Sequence, residues 1–238
     1  MNQLKRSRLK PITYDLRRAY DLMRARFGHQ HWWPGDTPFE VCVGAILTQN
    51  TAWTNVQRAI ANLKAARLLE PRALYQLPEE RLADFIRPAG YFNVKARRIR
   101  SFLGVLVSQF DGRLDQLFDG ETPAVRQRLL SINGIGPETA DSMLLYAGGH
   151  SSFVIDAYTG RIFRRHGWCK SDATYQELKD RCESSLNQKS LPRRLHYWQD
   201  YHAQLVMVGK HFCRPHAPLC ERCPLKPLLP SRRAVTIR

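Results

Sequence analysis

Gly134, Gly136 and Pro137 interrupt an otherwise helical stretch, and no other feature constrains the fold as much. Thr122-Pro123 opens a helix, since Thr can cap and Pro is tolerated in the first turn. Leu129, Leu130 and Ile132 give that helix an apolar side. The two glycines permit a tight turn with positive φ. Pro137 then starts a second helix, carried by Ala140, Met143, Leu144 and Ala147 at helical spacing. The N–H groups of the turn and of the new helix end have no intrahelical acceptor. They point one way with partial positive charge, which suits a phosphate oxygen. A clamp through Gly134, Ile135 and Gly136 therefore holds a nucleic-acid backbone without reading bases.

Two other readings compete. A Gly-x-Gly turn between helices can be a turn and nothing more. With Asp156 twenty residues past Gly136 it also hints at a dinucleotide fold. That fold needs a strand before the turn and a small residue at the sixth position. Here residues 126–130 look helical and the sixth position is Thr139.

Composition points to a polyanion. The 238 residues carry a formal net charge of +16 and a pI near 10, with 43% hydrophobic residues to form a core. Such charge suits weak, sliding, salt-sensitive binding to nucleic acid. A membrane-surface protein could share the charge, but no apolar run reaches spanning length and the start is not signal-like. Lys5, Arg6, Arg8 and Lys10 read as a flexible arm. A monomer in the cytoplasm, on the nucleoid, is the expectation.

Nearly every segment reads helical. Tyr14 to Phe27 has helical periodicity. Thr37-Pro38-Phe39-Glu40 is a capping box opening the apolar helix Phe39 to Leu47. Ala52 to Leu69, the stretch between Pro78 and Pro88, Lys95 to Phe110, Tyr175 to Leu186 and His196 to Val208 complete the set. Val154-Ile155 is the lone strand-like stretch. An all-α fold follows.

Several separate pieces now resemble one family in the right order. They are Leu47-Thr48-Gln49-Asn50-Thr51, then Gly90-Tyr91-Phe92-Asn93-Val94-Lys95-Ala96, then the hairpin, Val154-Ile155-Asp156 and a cysteine cluster. From about Pro34 to Cys223 the chain resembles the helix–hairpin–helix DNA glycosylases of the endonuclease III superfamily. Trp32-Trp33-Pro34 and the Gln49 segment are most similar to the 3-methyladenine DNA glycosylase III branch. The resemblance implies a bilobal helical fold. Residues 34–148 would form a barrel lobe ending in the hairpin at 122–147. Residues 1–33 and 149–238 would form the second lobe, with the active site in the cleft between the lobes.

The resemblance also implies roles. Bifunctional members carry a lysine two residues past the second hairpin glycine, and its amine attacks the sugar. That position is Glu138 here, which implies a monofunctional enzyme using water. Glu138 can also interact with the helix dipole as a first-turn acid. Asp156 matches the family's catalytic Asp, although by itself it reads as a helix cap. A glycosylase must flip its target base and hold it. Trp32 and Trp53 are candidates to sandwich that base, with Trp33 and Pro34 beside them, against core packing as the plainer fate. Gln49 matches the residue that fills the gap left by the flipped base, and Asn50 and Thr51 share its loop. Tyr91 stands where a wedge that is often Leu enters the minor groove. Lys95, Arg97, Arg98 and Arg100 follow at once and suit phosphates, although charge runs are usually solvated faces. Arg161, Arg164 and Arg165 form a second run.

Three clustered cysteines suggest metal, and no secretion signal suggests disulfides. Cys213, Cys220 and Cys223 match the first three ligands of the superfamily's four-iron cluster, but the fourth position is Leu229. Three readings stay open: an iron–sulfur cluster with an unusual fourth site, zinc with His211 or His216, and a degenerate site without metal.

The leading expectation is a base excision repair glycosylase acting on double-stranded DNA. It would flip an alkylated purine and hydrolyse its glycosidic bond with Asp156. A bifunctional glycosylase/abasic-site lyase on oxidised pyrimidines, and a non-catalytic damaged-DNA-binding protein, are the alternatives.

Overall fold

The computed structural model describes residues 12–32 and 35–230. The basic arm, Trp33 and Pro34 lie outside the described residues. Every regular element among those described is helical. Val154-Ile155 is irregular backbone, too short to pair as a strand.

The chain divides into two compact units. One spans Trp33–Val154 and the other combines Met1–Trp32 with Ile155–Arg238. The Trp33–Val154 unit holds α2 (Pro38–Leu47), α3 (Trp53–Ala65), α4 (Pro71–Gln76), α5 (Glu79–Phe85), α6 (Phe92–Phe110), α7 (Leu114–Leu117), α8 (Thr122–Leu130) and α9 (Pro137–Tyr146). Helix α2 is buried almost all round, which explains its continuous apolar sequence. It packs against α3, α6 and α9, while α6 also carries α4, α5 and α7. Phe39, Val43, Ile46, Ile60, Phe102 and Met143 meet in the core.

Thr37 caps α2 as expected, accepting from Glu40 N at 3.1 Å. The Glu40 carboxylate reaches back to Asp36 N at 3.2 Å, one residue earlier than the box pattern predicts. Thr122 does not cap α8. It is the first helical residue, and its hydroxyl pairs with His150 Nδ1 at 3.0 Å. His150 Nε2 lies 2.7 Å from Phe118 O. Because a carbonyl only accepts, Nε2 carries a proton and donates to it. Helix α3 ends at Ala65, short of the expected Leu69, because Arg67 turns to φ +56°.

The second unit is built on α1 (Ile12–Phe27), α10 (Ala157–Arg165), α11 (Tyr175–Ser185) and α12 (Leu191–His211). Helix α12 packs on α10 and α1, and α11 packs on α1. Thr174 and Glu177 form a reciprocal capping box at the start of α11. Tyr201 donates to Leu16 O at 2.8 Å, and Trp198 donates to Leu186 O at 3.0 Å.

Candidate active site and nucleic-acid interface

The hairpin between α8 and α9 is fixed from several sides. Gly134 adopts φ +88°, and a Cβ there would fall 2.3 Å from Cγ of Arg98. Ile135 is buried and its N–H donates to Ile132 O at 3.1 Å, so this residue anchors the turn. Its N–H is therefore committed and not available to a phosphate. Gly136 is extended, and a Cβ there would meet nothing within 4 Å, so the backbone is open to close approach. Gly136 precedes the first turn of α9, where Pro137 and exposed Glu138 lie.

A buried ion pair ties the two hairpin helices. Arg126 donates to Asp141 through Nε at 2.8 Å and Nη2 at 3.1 Å, and Ser152 Oγ donates to the same carboxylate at 2.6 Å. The sequence reading missed this pair, whose members lie fifteen residues apart.

Gln49 is used differently from expectation. Its Nε2 donates to Gly134 O at 3.0 Å and Thr139 Oγ1 at 2.9 Å, and its Oε1 accepts from Arg98. The packing of α2 on α9 brings this amide to the hairpin, so it braces the turn and does not project. Thr51 likewise turns inward, donating to Ala89 O at 2.7 Å. Asn50 is exposed at φ +52°.

Lys95 corrects the expected phosphate contact. Its side chain is buried, and Nζ donates to Leu47 O and Ala89 O, each at 2.8 Å, and to Thr51 Oγ1. Burial, helped by the nearby Arg98 guanidinium, lowers its pKa to about 8. One ammonium thus joins the end of α2 to the 3-10 turn Arg87–Ala89, and so sets the Gln49–Thr51 loop beside the Gly90-Tyr91 loop. At that second loop Tyr91 is 68% exposed with left-handed backbone, φ +45°. For a bulky residue this is a sparsely populated backbone region.

The basic runs divide by helical face. Arg98 faces the hairpin and Arg100 donates to Leu77 O at 2.7 Å, while Arg97 stays exposed. In the second run Arg161 donates to Cys213 O at 2.6 Å and Arg164 to Ser171 O at 3.0 Å. Arg165 donates to Arg214 O at 2.6 Å and Pro215 O at 2.8 Å. These cations serve carbonyls of their own unit.

Asp156 caps α10. Its Oδ1 accepts from Thr159 N at 2.7 Å, and Oδ2 lies 3.6 Å from His202 Nε2. Burial raises the carboxyl's pKa, but His202 and the Thr159 N–H outweigh it and hold the group below its ordinary range. Asp156 is therefore a carboxylate at neutral pH. Nothing in the motif pattern flagged His202; its mid-helix place among buried residues was the available signal.

The aromatic candidates fall in different units. Trp53 stands at the start of α3, 3.7 Å from where a Cβ on Gly44 would sit. It lines a cleft of about 300 Å³ with Gly35, Asp36, Glu40, Ile60 and Lys64. Trp32 lies in the other unit, with Lys210 Nζ 5.5 Å from its ring centroid. The segment before Trp32 is held by Asp200, which accepts from Gln30 N at 2.9 Å, Tyr20 at 2.8 Å and Arg24 at 3.1 Å.

Cys213, Cys220 and Cys223 share a small cavity with Leu229, Arg165 and His166. Leu229 is buried in the fourth-ligand position, and Arg165 Nη1 donates to Cys213 Sγ at 3.3 Å. Burial raises the Cys220 thiol and pushes Cys223 up to about 11, so both favour the protonated form. Among the described residues no group of three His, Cys, Asp or Glu side chains is placed to hold a metal ion. In ligand number, with three thiols and Leu229 in the fourth place, these residues do not fit a cluster held by four cysteines.

Residues 43–188 match the family described as HhH-GPD superfamily base excision DNA repair protein. The chain is 46% identical over 211 residues to a Methanocaldococcus jannaschii protein provisionally named a DNA repair glycosylase, covering 88% of this chain and 93% of that one. It is 30% identical over 189 residues to endonuclease III of Thermotoga maritima, covering 79% and 81%. The H. pylori 3-methyladenine DNA glycosylase MagIII, bound to 1,N6-ethenoadenine, superposes with a TM-score of 0.72 at 26% identity, over 83% of this chain and 96% of that one. A non-covalent endonuclease III–DNA complex has a TM-score of 0.77 at 23% identity, over 92% and 96%, a likeness of fold.

Proposed function

The chain belongs to the HhH-GPD superfamily of base excision DNA repair proteins and is a DNA repair glycosylase, and we propose that it is monofunctional, hydrolysing the N-glycosidic bond of an alkylated purine in duplex DNA. The observation that carries the hydrolytic reading is Glu138, which stands where bifunctional relatives carry a lysine. A carboxylate cannot form a Schiff base. The buried amine on α6, Lys95, is fully engaged by three internal acceptors and offers no substitute.

Breaking the bond sends the electron pair to the departing base and leaves positive charge on the sugar. The ionised Asp156 stabilises that charge. It also orients a water, whose oxygen bonds to the sugar carbon while its proton passes to the carboxylate. The open backbone at Gly136 and the first turn of α9 hold a phosphate. Arg97 is a second phosphate contact, and exposed Tyr91 enters the duplex beside the lesion. Trp53, which lines a cleft of its own unit, stacks on the flipped base. An alkylated purine is cationic and gains from such a ring face. The 26% identity to MagIII supports this choice of lesion.

The test uses end-labelled duplexes bearing an N3- or N7-alkylated purine, and separately an oxidised pyrimidine, each with and without hot alkali. Breaks at alkylated purines after alkali alone are expected. Breaks without alkali would overturn the monofunctional reading.

A further inference from the structure

Asp156 needs one oxygen to cap α10, and Oδ1 does this through Thr159 N at 2.7 Å. The cap is complete with that bond. Yet the other oxygen is also met, 3.6 Å from Nε2 of His202 on α12. Both side chains are largely buried, at 12% and 11% exposure. Nor is His202 needed to bring the helices together. The Tyr158 ring lies on Gly209, where a Cβ would fall 2.2 Å from it, so α10 and α12 are already in close register.

We propose that His202 is a positioning residue for Asp156, fixing the rotation of the carboxylate from α12 while Thr159 fixes it from α10. The inference rests on the reading of Asp156 as the carboxylate that acts in base release. With Oδ1 hydrogen-bonded and Oδ2 facing Nε2 at ion-pair distance, the plane of the carboxylate is restrained before DNA binds. A capping aspartate without the second contact turns about its last torsion, a soft, roughly two-fold rotor. Such freedom misplaces the charge relative to the sugar, and small misplacements are costly in rate. The role requires an N–H near the position of Nε2, which a glutamine amide can supply and a methyl group cannot.

The test compares the wild type with His202→Ala, His202→Gln and Asp156→Asn, using single-turnover base release from an alkylated duplex together with equilibrium binding of that duplex. Loss of about ten- to a hundred-fold in rate is expected for His202→Ala, with duplex affinity unchanged and most of the rate restored by His202→Gln. An active wild type, an inactive Asp156→Asn and a His202→Ala variant at the wild-type rate would overturn this inference alone. Equal losses of rate and duplex affinity in His202→Ala, without rescue by glutamine, would also overturn it, in favour of a packing role. Absence of base release by the wild type would instead sink the underlying reading of the site.

Discussion

Arg98 lies across Gly134. A side chain on that glycine would meet the Arg98 stem, with Cγ at 2.3 Å and Cδ at 2.9 Å, and the glycine's φ is +88°. Position 134 therefore rejects a side chain on two counts. Gly134→Ala should cost about 1–2 kcal/mol for the left-handed backbone alone, with the displaced Arg98 adding to it. Gly136→Ala meets no neighbour within 4 Å and keeps an extended backbone. Its melting temperature should match the wild type while its duplex affinity falls. Thermal melting beside a salt titration of DNA binding separates the two variants.

The Arg126–Asp141 pair holds α8 against α9, the aspartate side chain being 0% exposed and the arginine's 16%. Asp141→Ala would take the carboxylate from a part-buried guanidinium and from Ser152 Oγ, and should destabilise the protein by about 2–3 kcal/mol. Arg126→Met with Asp141→Leu should recover much of that loss, because two apolar groups leave no charge uncompensated. Denaturant melts of the single and double variants check this. Equal losses in both would mean that packing and not charge sets the cost.

Lys95 gives the stability a pH dependence of known sign. Its amine titrates near 8 in the folded chain against an ordinary 10.5. Between those values the unfolded chain binds more protons, so this group's contribution makes the protein more stable as pH rises through that window. Lys95→Met should flatten the slope and lower overall stability, since Leu47 O, Ala89 O and Thr51 Oγ1 lose their donor. Melting temperatures taken from neutral to alkaline pH for both proteins are the check.

The cysteine cavity yields a prediction about metal. Leu229 stands in the fourth position, so the cavity offers three thiols and no fourth. Iron analysis of purified protein should find no stoichiometric iron, and a chelator should leave the melting temperature unchanged. Arg165→Ala, which frees Cys213 Sγ, Arg214 O and Pro215 O, should lower it instead.

The parts of the site that were legible in the sequence are those that depend on local backbone chemistry. A turn with φ +88° demands glycine, and a helix start rewards an aspartate, so Gly134 and Asp156 announce themselves. A capping box and an apolar run located α2, and helical spacing located α9. Residues whose use depends on neighbours distant in the chain did not show. Lys95 and Arg97 look alike in a basic run, but helical rotation buries one and exposes the other. Gln49 reads as a loop residue until α2 is seen to end beside the hairpin. Arg126 with Asp141, and Asp156 with His202, are pairs that tertiary packing alone brings together. Short helices such as α4 and α7 carry too few residues to show a period.

The most direct measurement is the single-turnover rate of base release by Asp156→Asn against wild type on a duplex carrying an alkylated purine, with duplex affinity determined in parallel. Asparagine can still accept the Thr159 N–H and cap α10, so the fold and the grip on DNA should survive while the charge is lost. A rate reduced at least a hundred-fold at unchanged affinity is the expected result. Base release by the asparagine variant at the wild-type rate would contradict a catalytic Asp156.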